Sequence, residues 1–223
     1  MRITDKSKFI DQSMEALEGI LDVLYKAPDV ALNSLPTEQT VLILVDMING
    51  FAREGALMSP EVEKIIPDIL DLMKKCKKLD IPTLAFADCH NDASPEFTSY
   101  PVHCLKDTSE SEIVEEIKEF GNYELIYKNS TNGFLEETFQ KWMINNQKVN
   151  NFIITGDCTD ICVQQFAITL KTWFNMQNKA CRVIVPMNAV ATYDFGLHSG
   201  NLTHVMALYN MMINGVEVVV EAK

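Results

Sequence analysis

The chain carries a thiol in a position where chemistry is feasible. Cys162 closes the stretch Asn151-Phe-Ile-Ile-Thr-Gly-Asp-Cys-Thr-Asp-Ile-Cys162, in which an apolar run stops at Gly156 and a polar turn leads into a helical pattern. A thiol near a helix N-terminus meets the positive end of the macrodipole, which predicts a lowered pKa and a share of thiolate. Backbone N–H groups in such a turn can also hold an oxyanion once sulfur has attacked a carbonyl. A cysteine taken alone reads more simply as a small residue packing a helix on a sheet. Reaction requires partners, and two other apolar runs end on candidates, Asp46 and Lys128. A carboxylate can take the thiol proton. A lysine can keep that carboxylate ionised and offset charge developing on a substrate.

A second cluster follows the next apolar run: Asp88-Cys-His90, then Glu96 and His103. On an extended segment, period two puts Asp88 and His90 on one side and turns Cys89 away. Two imidazoles and two carboxylates suit a divalent metal with open positions, zinc first, with manganese or iron also suited. The competing reading is a solvated acidic loop with incidental histidines.

These residues need a scaffold that brings them together. Six β-rich apolar runs recur at Val41–Val45, Thr83–Ala87, Glu124–Tyr127, Phe152–Thr155, Arg182–Val185 and Val216–Val220. Helical periodicity fills the gaps at Pro60–Leu79, Ser109–Phe120, Phe134–Ile144, Asp160–Met176 and Ser199–Ile213. Ser109-x-x-Glu112 reads as a capping box. Nearly continuous apolar strands alternating with helices predict an α/β, doubly wound, six-stranded parallel sheet in a three-layer α/β/α (Rossmann-like) arrangement. Such sheets bind ligands beyond the carboxyl ends of the strands. Asp46, Asp88, Lys128 and Cys162 all fall at that edge. If the strand order is 3-2-1-4-5-6, strands one and four adjoin, and Asp46 neighbours Cys162.

Residues 1–38 stand outside the alternation. Phe9, Met14, Leu17, Ile20, Leu21 and Leu24 outline an amphipathic helix, and Ala27–Pro36 then reads as a loop. The expected division is a helical appendage over 1–38 and one α/β domain over 39–223, the helix packing on the core or on a neighbouring subunit.

With 223 residues, 47% of them hydrophobic and 22% charged, the chain has the composition of a globular protein. A net charge of −12 argues against nucleic acid or an anionic membrane as partner. No apolar run approaches the roughly 20 residues of a spanning helix. The first residues do not read as a signal peptide. Six scattered cysteines, two of them spaced C-x3-C, form neither zinc pairs nor a disulfide framework, which points to the reducing cytoplasm.

Leu42-Ile-Leu-Val-Asp46-Met-Ile-Asn-Gly-Phe51, Ala87-Asp-Cys-His90, Tyr100-Pro-Val-His103, Lys128-Asn-Ser-Thr-Asn-Gly-Phe134 and Thr155-Gly-Asp-Cys-Thr-Asp-Ile-Cys162-Val together resemble the isochorismatase-like cysteine hydrolase superfamily. Within it the resemblance is to the metal-dependent nicotinamidases (pyrazinamidases), and it spans about residues 40–220. It implies a triad of Asp46, Lys128 and Cys162, a cis peptide between Asp157 and Cys158, and an oxyanion hole from the N–H groups of Cys158 and Cys162. It implies metal ligation by Asp88, His90, Glu96 and His103, and aromatic walls from Phe51 and Tyr100. One position departs. These enzymes usually carry an aromatic three residues after the lysine, where this chain has Thr131, a residue that bears on the choice of substrate.

The expectation is a nicotinamidase-like amidohydrolase, acting through a cysteine thioester on a small-molecule amide, and assembled as a homo-oligomer. Two alternatives stay open. One is hydrolysis of another small amide of the N-carbamoyl, ureido or maleamate type; the other is a catalytically silent metal-binding or scaffold protein.

Overall fold

A computed structural model of the protein describes residues 5–223. The strands are β1 (Thr40–Val45), β2 (Thr83–Asp88), β3 (Glu124–Lys128), β4 (Asn151–Gly156), β5 (Arg182–Pro186) and β6 (Glu217–Val219). They form one parallel sheet in the order β3-β2-β1-β4-β5-β6. Every residue of β1, β2 and β4 is buried, as continuous apolar runs in a sheet covered on both faces require. The edge strand β3 buries only Ile126 and Lys128.

Alternate residues of β1 serve opposite layers. Leu42 and Leu44 join a core with Ile69, Met73 and Ile117, from helices α4 (Ile66–Lys78) and α5 (Glu115–Phe120). Val41, Ile43 and Val45 join Phe139, Phe166 and Leu208, from α6 (Glu137–Asn145), α7 (Gln164–Met176) and α8 (Gly200–Ile213). Two short helices, α2 (Asn49–Ala52) and α3 (Pro60–Lys64), cross the sheet edge after β1. The amphipathic N-terminal segment is α1 (Lys6–Tyr25), opened by Asp5 accepting the Lys8 N–H at 3.1 Å. Its last turns pack on the core through Ile20 and buried Leu24, while Phe9, Ile10 and Met14 stay exposed. Among the described residues, no helix is long and apolar enough to cross a membrane.

Three local expectations are corrected. The periodic stretch Pro60–Leu79 is two helices, α3 and α4, because Pro67 lacks the N–H that would bond the Glu63 carbonyl and instead sits in the first turn of α4. Ser109 and Glu112 do not form a capping box: Ser109–Ser111 is a single 3₁₀ turn, and α5 begins only at Glu115. The Ser109 and Glu112 carbonyls accept bonds from Asn49, so tertiary pairing with α2 overrides the local signal. The segment 27–36 is more than a connector, since Val30 bridges to Ala222 in parallel and Leu32–Ser34 forms a 3₁₀ turn.

Candidate active site

The sheet order makes β1 and β4 neighbours, with Val45 paired to Gly156. Beyond this pair the two chains part. Asp46 takes a left-handed φ of 54°, a conformation Asp tolerates better than most residues. Gly156 has φ 107°, and a Cβ there would sit 1.9 Å from the Val45 carbonyl oxygen, so glycine is required. The peptide bond from Asp157 to Cys158 is cis. A π-type turn over Thr159–Val163 follows, in which the Val163 N–H reaches the Cys158 carbonyl at 3.1 Å, and Cys162 lies within it at the start of α7.

Asp88 and Lys128 are register partners on β2 and β3. The Lys128 ammonium lies 2.7 Å from Asp88 Oδ1, 2.8 Å from Asp46 Oδ2 and 3.7 Å from Cys162 Sγ. It also donates to the Ser130 carbonyl at 3.2 Å. Lys128 is 1% exposed, so these contacts replace its hydration shell. Ligand atoms of Asp46, Asp88 and Cys162 fall within 4.8 Å of one another, yet the ammonium already contacts all three. A lysine, not a metal, therefore neutralises that triangle.

Burial pushes the Asp46 carboxyl up to about 6, despite the attraction of Lys128. Burial alone would depress Lys128, but Asp46 and Asp88 outweigh it and hold the ammonium well above its ordinary value. Asp88 goes the other way: burial would raise it, but the Lys128 ammonium at 2.7 Å holds it far below the usual carboxylate range. Two carboxylates thus share one cation, and Asp46 is the one left able to exchange a proton near neutrality. The Cys162 thiol is pushed well above its ordinary value, mainly by burial, with Lys128 opposing and the carboxylates adding to the rise. This corrects the expectation of a thiolate poised by the helix N-terminus. Desolvation by the packed surroundings outweighs the opposing pull of the Lys128 ammonium.

The second cluster assembles on the same edge. His90 Nε2 lies 3.3 Å from Asp88 Oδ2 and 3.3 Å from Glu96 Oε2, and His103 Nε2 lies 3.7 Å from Asp88 Oδ2. Donor atoms of Asp88, His90 and His103 are within 4.8 Å of one another. The other ring nitrogens face fixed acceptors, Asn129 Oδ1 at 3.1 Å from His90 Nδ1 and the Pro101 carbonyl at 2.8 Å from His103 Nδ1. Both Nδ1 atoms then carry the proton and both Nε2 lone pairs point inward, the arrangement of metal-ligating histidines. His90 Nε2 and Glu96 Oε2 are buried without hydrogen-bond partners, as atoms reserved for a ligand would be. The donor set therefore fits a divalent cation.

A narrow pocket, open to solvent, lies between the two clusters. Phe51, Tyr100 and Thr131 line it with Asp88, His103, Cys158 and Cys162. Leu57, Ile161 and Tyr193 complete the wall. Nothing in the sequence marked these three, which arrive from separate loops. Ile161 alone carried a hint, from its place beside Cys162. Phe134, by contrast, packs away from the cavity against Phe139, Phe166 and Trp173.

Residues 40–218 match the isochorismatase domain. The chain belongs to the isochorismatase family. This family member is 29% identical over 207 residues to Nicotinamidase 1 of Arabidopsis thaliana, covering 80% of this chain and 84% of that protein. It superposes on the zinc complex of the pyrazinamidase of Pyrococcus horikoshii with a TM-score of 0.67 at 26% identity, covering 81% of this chain and 98% of that one. N-carbamoylsarcosine amidase of Thermoplasma acidophilum shares the fold, with a TM-score of 0.65 at 22% identity over 81% and 95% of the two chains. The family thus joins one isochorismatase fold to amidases that differ in substrate.

Proposed function

We propose that the protein is a nicotinamidase-like amidohydrolase that converts nicotinamide to nicotinate and ammonia through a thioester on Cys162. The observation that carries this reading is the convergence of Cys162, Asp88 and His103 on one small pocket with aromatic walls, with Asp46 and His90 set against Asp88 behind it. Similarity to a plant nicotinamidase and to a zinc-bound pyrazinamidase supports it.

In this mechanism Asp46 takes the proton of the neutral Cys162 thiol as sulfur attacks the carboxamide carbon. The N–H groups of Cys158 and Cys162 hold the oxyanion. Asp46 passes its proton to the departing ammonia, then takes one from the water that hydrolyses the thioester and returns it to the leaving Cys162 sulfur; the acid formed gives its proton to solvent, and nicotinate leaves with thiol and carboxylate restored. Lys128 stays charged throughout and keeps the added negative charge compensated. Asp88, His90, Glu96 and His103 would hold a divalent metal, which when bound supplies a Lewis acid for the pyridine nitrogen and an ordered water. Phe51 and Tyr100 flank the flat ring.

Among the described residues lining the cavity, none is Arg or Lys. That favours a neutral aromatic amide over ureido or maleamate substrates, whose carboxylates need a cation. An ammonia-release panel over nicotinamide, pyrazinamide and N-carbamoyl compounds, with and without chelator, tests the assignment. Turnover of the two aromatic amides, reduced by chelator, is expected; release confined to carbamoyl compounds would replace the substrate class.

A further inference from the structure

The turn after Lys128 touches the site at three successive residues. Asn129 Oδ1 faces His90 Nδ1 at 3.1 Å, the Ser130 carbonyl accepts from Lys128 Nζ at 3.2 Å, and the Thr131 N–H donates to Glu96 Oε1 at 2.8 Å. The backbone N–H of Asn129 is itself anchored, donating to Glu136 Oε1 at 3.0 Å. The turn thus reaches the ammonium, an imidazole and a carboxylate of the site from a single strand end.

We propose that Asn129 is a positioning residue for metal binding, its side-chain oxygen holding the His90 ring with Nδ1 protonated and Nε2 turned toward Asp88 and Glu96. The inference rests on reading Asp88, His90, Glu96 and His103 as a metal site. The His90 ring has one bonded nitrogen and one orphan: Nδ1 meets Asn129, while Nε2 is buried without a hydrogen-bond partner between two carboxylates 3.3 Å away. A neutral imidazole can place its proton on either nitrogen. Without an acceptor at Nδ1, the proton would move to Nε2, where both carboxylates attract it. That tautomer donates to Asp88 or Glu96 and offers no lone pair to a cation. Asn129 blocks this alternative. His103 has a backbone carbonyl in the same role, so His90 is the imidazole whose orientation depends on a side chain. Asp at position 129 preserves the acceptor, and Ala removes it.

The test compares the unaltered protein with Asn129→Ala and Asn129→Asp, measuring zinc affinity by competition with a chromophoric chelator. A 10–100-fold loss is expected for Asn129→Ala, the usual effect of removing an outer-shell partner, and near-complete retention for Asn129→Asp. ¹⁵N NMR of His90 in the metal-free protein supplies a second readout, since the tautomer should shift toward Nε2–H in Asn129→Ala alone. Zinc uptake by the unaltered protein, with Asn129→Ala within threefold of it and the same tautomer, overturns the role of Asn129 and leaves the metal reading standing. No zinc uptake by the unaltered protein sinks the metal reading, and this role with it.

Discussion

Asp46 accepts the backbone N–H of Asp88 at 2.9 Å, so the candidate base and the first candidate metal ligand are joined across the ends of β1 and β2. The bond uses Asp46 Oδ1. Oδ2 is left with the Lys128 ion pair at 2.8 Å and, by its geometry, no hydrogen bond of its own. One oxygen is therefore fixed by the scaffold and the other is available to a proton. The Cys162 cluster and the histidine cluster are a single structure at this point.

Cys162→Ala should abolish turnover and leave the fold intact, because a buried thiol is replaced by a slightly smaller apolar group. A loss of at least about 10³-fold in kcat is expected for removal of a covalent nucleophile. Ammonia release by the purified variant, alongside its circular dichroism spectrum, checks this. Full activity would end the thioester mechanism.

Lys128→Met keeps the length of the side chain and removes the charge. Asp46 and Asp88 would then share a buried site with no cation, and breaking such a pair costs about 3–5 kcal/mol. Urea unfolding at neutral pH measures the loss. A change below about 1 kcal/mol would show that the ammonium is dispensable to the fold.

The acid limb of kcat/KM should fall with an apparent pKa near 6, the value to which burial raises Asp46. Asp46 works ionised, so its active form is lost as pH drops through that value, about two units above the onset expected of an ordinary aspartate. A pH–rate profile that stays flat down to pH 4.5 would remove Asp46 as the base.

Thr131→Phe restores an aromatic to the cavity wall at the position where this chain departs from the nicotinamidases. An added ring contact is worth about 0.5–1.5 kcal/mol, so KM for nicotinamide should fall roughly 2–10-fold. Steady-state kinetics on nicotinamide decide it. An unchanged or raised KM would mean that position 131 does not contact the ring.

The layered fold is legible in the chain because a covered parallel strand is apolar along its whole length, as β1, β2 and β4 are. Strand ends are legible too, so Asp46, Asp88, Lys128 and Cys162 could be assigned to one edge without coordinates. Ser109 and Glu112 misled because a local capping signal is worth about 1 kcal/mol, and pairing with Asn49 outweighed it. Tyr193 and Leu57 were invisible because loops of unrelated sequence position bring them to the site, and no periodicity encodes that.

Which side chains meet at the sheet edge was thus written in residue type and spacing. What the tertiary structure decided was their charge state. The helix N-terminus beside Cys162 predicted a lowered pKa and a share of thiolate, whereas burial pushes the thiol well above its ordinary value. Desolvation depends on everything packed around a group, and only the folded chain determines that.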